Sequence, residues 1–87
     1  MMLMKGGSGS SEQWSAYIET LVASGTFRGG SALGNGQCMS QRETTECTIN
    51  GFMKFEAASM NEVLTLTQSN PTLLSGGSVE VLEIIET

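Results

Sequence analysis

The residue types that usually carry chemistry are thinly supplied in this 87-residue chain. Histidine and aspartate are absent, so the side chain that titrates nearest neutral pH is missing and a conventional Ser-His-Asp triad has no base. Nine glutamates remain for acid–base work. Glu43, Glu46, Glu56 and Glu80 are the candidates, and each needs burial to raise its pKa before it can serve. On a strand, the ordinary role of such a residue is to face solvent. No Gly-x-Ser-x-Gly elbow presents a serine nucleophile. Cys38 and Cys47 are too far apart for a Cys-x-x-Cys unit and have no histidine to complete a metal site, so no metal and no cofactor are expected. If the chain turns at Arg42-Glu43, the two thiols lie opposite each other and within reach of a disulfide under oxidation; reduced thiols are the expectation in a cytoplasmic setting.

Binding chemistry is better represented. Gly6-Gly7-Ser8-Gly9-Ser10 joins an expected strand to a helix start, where backbone N–H groups can cradle an anion; it also reads as a plain flexible connection. The run matches neither the Walker pattern nor Gly-x-Gly-x-x-Gly. Arg28 stands inside an expected strand. It can hold a ligand carboxylate bidentately, or pair with Glu56 or Glu80 across the sheet. Trp14 and Tyr17 belong to a helix stripe first and form a ligand wall second. Arg28, Trp14, Tyr17 and Ser8 are therefore the candidate ligand-binding residues.

The elements that must position these residues are legible. Met1–Lys5 is a short apolar strand. A helix follows, capped by Ser10 or Ser11 with Glu12 or Gln13 in its first turn, and Trp14, Tyr17, Ile18, Leu21 and Val22 form its apolar stripe. Gly25 ends it. Phe27–Leu33 is a second strand, whose Gly29-Gly30 marks a bulge or a close approach of backbone. Asn35-Gly36 makes a turn or begins a longer arm, and the polar stretch from Gln37 to Thr48 is expected to be a hairpin tipped near Arg42-Glu43. The third strand runs from Ile49 to Ala58, with Met53, Phe55 and Ala57 on one face and Lys54 and Glu56 on the other. Ser59-Met60-Asn61-Glu62 is a capping box for a second helix bearing Met60, Val63, Leu64 and Leu66, which ends before Asn70-Pro71. Thr72–Leu74 adds one turn. Gly76-Gly77 then releases the last strand, Ser78–Glu86.

Strand, helix, strand, strand, helix, strand is the order of a ferredoxin-like βαββαβ two-layer α+β sandwich with an antiparallel sheet. The last strand places Val79, Val81 and Ile85 on one face and Leu82 and Ile84 on the other. Helices cover only one face of a two-layer domain, so Phe52, Leu82 and Ile84 predict a second apolar face covered by another copy of the chain.

The net charge of −5 at pH 7 works against phosphate backbones and anionic membranes, and no basic stripe offsets it. No apolar run approaches the roughly 20 residues of a membrane span, and the first residues do not read as a secretory signal, so a cytoplasmic location is expected.

Gly51-Phe52-Met53-Lys54-Phe55-Glu56-Ala57, the Ser59–Glu62 box, Pro71 and Gly76-Gly77-Ser78-Val79-Glu80-Val81 resemble the YCII-related family, in particular its DGPF-type branch. Trp14 through Leu33 matches as well, so the resemblance covers nearly the whole chain. It implies a ferredoxin-like domain that pairs through its sheets into a dimeric α/β barrel, with poorly defined function. Some relatives carry a histidine and an aspartate suspected of catalysis, and others are fused to sigma-factor domains. This chain lacks both residues. Thr45–Asn50 stands where the DGPF signature is expected, and Leu82 stands where relatives often have a basic residue. The expected function is a non-catalytic module for a small ligand or a protein partner. The alternatives are a small lyase- or isomerase-like enzyme using Arg28 and a glutamate in a cleft, or a regulatory partner of the transcription machinery.

Overall fold

The computed structural model describes residues 1–85. Six strands and three helices follow in the order β1 (Met2–Lys5), α1 (Ser11–Ala23), β2 (Phe27–Ala32), β3 (Gln37–Met39), β4 (Thr44–Glu46), β5 (Ile49–Phe55), α2 (Met60–Thr67), α3 (Pro71–Leu74) and β6 (Ser78–Val81). Four strands form one sheet in the order β2-β5-β1-β6, and every neighbouring pair is antiparallel. This is the ferredoxin-like two-layer α+β arrangement, with β3 and β4 inserted as a hairpin between β2 and β5.

Alternation along the strands decides which face is covered. Met2 and Met4 of β1 are buried against Tyr17 and Leu21 of α1, Val63 of α2 and Met53 of β5, and these six residues are the core. Cross-strand partners share a face, so Gly30, Met53, Met2 and Val81 make one row under the helices and Ala32, Gly51, Met4 and Val79 the next. On the other face, Ser31, Phe52, Leu3 and Glu80 form a row without a helix above it. Phe52 and Leu3 are only half-buried there.

Local sequence sets the helix ends. Ser10 Oγ accepts the Gln13 N–H (3.1 Å) while Gln13 Oε1 accepts the Ser10 N–H (2.8 Å), a complete capping box. Gly25, at φ 76, takes the left-handed conformation after the last turn of α1. At α2 the box is altered. Ser59 Oγ accepts the Glu62 N–H at 3.4 Å, but the Glu62 carboxylate reaches one residue further back, to the Ala58 N–H at 3.3 Å. Asn70, fully buried, caps α3 through Oδ1 and the Thr72 N–H (2.8 Å).

Several expectations need correction. Val22 falls off the buried stripe and is 63% exposed, because Tyr17 and Leu21 alone turn their full side chains to the core. The last strand stops at Val81 rather than running on. Met1 and Leu82 still exchange backbone hydrogen bonds, but no strand among the described residues lies opposite Glu83–Ile85. Ile85 therefore stands out at 77% exposure instead of joining Val79 and Val81, and Glu86 lies outside the described residues. The polar hairpin exists, but its turn is Ser40–Glu43. Ser40 fixes it by donating its N–H to the Glu43 carbonyl (2.9 Å) and accepting the Glu43 N–H on Oγ (3.2 Å). That register sets Cys38 opposite Thr45 and hands the Cys47 N–H to Gly36, so the two thiols are not opposed and both are free.

Candidate functional site

Between α1 and the β2–β5 end of the sheet lies a cleft of about 510 Å³, within the range of about 300–1,000 Å³ typical of small-molecule sites. Small residues border it on the sheet side. Gly30, Ala32 and Gly51 occupy three helix-facing positions on β2 and β5, so the floor there is almost bare backbone. At Gly30 a Cβ would run into the Phe52 carbonyl oxygen and stand 2.9 Å from Met53 Cα, so the two strands approach closely at that point. Arg28 and Gly29 form the bulge just before it, with Gly29 at φ 105. Gly51 faces the end of Met4, whose Cε would lie 2.9 Å from an added Cβ.

Trp14 and Ile18 of α1 form the facing wall, one turn apart, and Phe27 and Met53 close the side. Trp14 is held by its surroundings. Its ring meets Tyr17 edge-on, with centroids 6.1 Å apart and planes at 74°. Gly9 leaves room for Trp14 Nε1, which would be 2.9 Å from a Cβ at that position. Trp14 Nε1 has no hydrogen-bond partner among the described residues and is open to solvent.

The remaining rim is the Gly6–Gly9 loop with Asn50 and Thr72. This loop is more than a flexible connection. Gly6 and Gly7 both adopt φ 63, and a Cβ on Gly7 would stand 2.6 Å from the Thr72 carbonyl oxygen. The glycines let the loop pack on the chain around α3. The Ser8 N–H is spent on Ser75 Oγ at 2.6 Å, which removes one of the donors an anion cradle needs. Asn50 Nδ2 ties the loop to β5 by donating to the Gly6 carbonyl at 3.0 Å.

Electrostatics set this cleft apart. Among the described residues, no ionisable side chain lines it. The four candidate glutamates are all exposed to solvent elsewhere. Glu80 pairs with Lys5 at 3.0 Å, and Glu56 pairs with Arg28 at 3.3 Å. Among the described residues the lining supplies apolar side chains and neutral polar groups.

The structure separates the four expected binding residues. Trp14 and Ser8 both line the cleft. Tyr17 does not; it is buried behind Trp14 with its hydroxyl donated to the Leu66 carbonyl at 2.9 Å. Burial pushes its phenol above the ordinary value. Arg28 points to a different opening, of about 710 Å³, beside Lys54, Glu56 and the start of α2. Its guanidinium also donates to the carbonyls of Gly25 and Phe27, both at 3.0 Å, and its side chain is half exposed. Of the expected interface residues, Phe52 stands on the uncovered sheet face, while Leu82 and Ile84 are 46% and 48% exposed beyond the end of β6.

Sequence reasoning missed Gly51, Ala32 and Asn50 as site residues. The available signal was small residues inside otherwise apolar strands, which mark places where something else approaches the backbone.

No family model, no curated protein and no solved structure matches the chain. Function therefore rests on the site, since the ferredoxin-like fold serves many unrelated activities. No helix among the described residues is long and apolar enough to cross a membrane.

Proposed function

We propose that this chain is a cytoplasmic, non-catalytic domain that binds a small ligand in the cleft beneath Trp14. The observation that carries the reading is an apolar recess of about 510 Å³ with a floor of small residues, an aromatic wall and, among the described residues, no ionisable lining. An enzyme using Arg28 and a glutamate is less well supported, because that arginine and Glu56 form an exposed pair outside the cleft.

The reading extends to a YCII-related homodimer. Half-buried Phe52 and Leu3 on the uncovered sheet face, with Leu82 and Ile84 exposed nearby, support a second copy as the cover. Sedimentation at micromolar concentration is expected to return twice the 9.2 kDa chain mass; a single-chain mass would remove the pairing.

The binding claim is tested by a thermal-shift panel spanning neutral, anionic, cationic, aromatic and aliphatic metabolites. Wild type is run beside Ala32→Leu, which adds side-chain volume at an exposed position lining the cleft. A ligand at a hundred times its Kd adds about 2.7 kcal/mol, several degrees for a domain of this size. Hits lost in Ala32→Leu support the site. Hits that survive the substitution, or a flat panel, sink it.

A further inference from the structure

We infer that the ligand of this cleft is a neutral, planar aromatic compound bearing a hydroxyl or carbonyl group. The inference rests on the small-ligand reading above and narrows it.

Charge comes first. A ligand entering the cleft leaves water for Met4, Ile18, Phe27 and Met53, and among the described residues no ionisable side chain lines the cleft to pair with a charge it carries. An ionic group taken there is desolvated without compensation, so it binds poorly or keeps its charged end outside. Charges near the chain's other opening do not help, because Arg28 and Glu56 already neutralise each other there.

Shape comes second. Gly30 and Gly51 present peptide groups instead of side chains on the sheet side, and Trp14 stands on the helix side. A slot with one flat floor and one aromatic wall favours a flat π-system, which stacks or meets the indole edge-on and loses little conformational freedom on binding. The volume falls in the lower half of the small-molecule range and suits two or three fused rings.

Polar recognition comes third. Trp14 Nε1 is a donor without a partner among the described residues. Asn50 donates one Nδ2 hydrogen to Gly6, which leaves its other N–H and Oδ1 on the same rim. Two donors and one acceptor beside an apolar slot match a phenolic hydroxyl, and the donors alone match a ring carbonyl.

Four compounds of similar size separate these elements: 2-naphthol, 2-naphthoate, N-methylquinolinium and decahydro-2-naphthol. The readout is the indole N–H resonance of Trp14, the sole tryptophan of the chain, in a titration followed by NMR. The expected result is a saturable shift with 2-naphthol and binding about tenfold weaker or worse for the other three. Equal binding of the anion or cation overturns neutrality, and equal binding of the saturated alcohol overturns planarity. In both cases the cleft still binds ligands, so the wider reading stands. Failure of all four overturns the inference, and the broad panel with Ala32→Leu then decides separately whether the cleft binds anything.

Discussion

At one end of the sheet Gly30, Ala32 and Gly51 give up side-chain volume, and Trp14 overlooks nearly bare backbone. At the other end Arg28, Lys54 and Glu56 crowd a larger opening with charge. The two ends lie on the same strands, a few residues apart, yet their physics differ. The charged opening is wet: the Arg28 and Glu56 side chains are 49% and 81% exposed, so their attraction is screened and weak. The cleft is apolar, so every contact made in it counts for more. What distinguishes the cleft is its apolar lining.

This contrast can be broken by substitution. The largest effect is expected at the cleft floor. Gly30→Ala forces a Cβ against the Phe52 carbonyl and Met53 Cα, both backbone groups that cannot swing aside. It is expected to cost about 3 kcal/mol in urea unfolding. A loss near zero would mean that β2 and β5 are not so closely joined there.

A middle-sized effect belongs to the support behind Trp14. Tyr17→Phe removes the hydrogen bond to the Leu66 carbonyl and is expected to cost about 1 kcal/mol at neutral pH. It also changes the alkaline limb. Burial raises the folded phenol above the ordinary value of 10.0, so the unfolded state loses its proton first. Stability is thus fully present below pH 10 and falls as pH rises from there through the folded pKa. Tyr17→Phe should flatten that fall; an unchanged alkaline limb would show that this phenol does not titrate differently in the two states.

The smallest effect is expected at the charged end. Arg28→Ala should cost about 0.5 kcal/mol or less and leave ligand affinity in the cleft unchanged. A large loss of affinity would reverse the comparison and return Arg28 to the site.

Much of this fold was readable from local chemistry. The box at Ser10 and Gln13, the cap at Ser59 and the Gly25 stop are set by neighbours within four residues, and the structure has all three. The order of elements then left few topologies open. Register was harder, because it depends on partners far along the chain. The turn at Ser40–Glu43, one residue before the position read from Arg42-Glu43, is enough to separate Cys38 from Cys47. The end of β6 depends on where β1 ceases to face it. The cleft was the least legible feature. It is bordered by the small residues Gly30, Ala32 and Gly51, and only the pairing of β2 with β5 brings these together. Arg28 attracted attention as an arginine within a strand; the bulge with Gly29 and the reach of Glu56 gave it a structural partner instead.

The most direct test compares both ends in one experiment. In an NMR titration with 2-naphthol, the account predicts shifts at the Trp14 indole and at the amides of Gly30 and Gly51, with Lys54 through Met60 unmoved. Shifts confined to Lys54 through Met60, with the Trp14 indole silent, would contradict it.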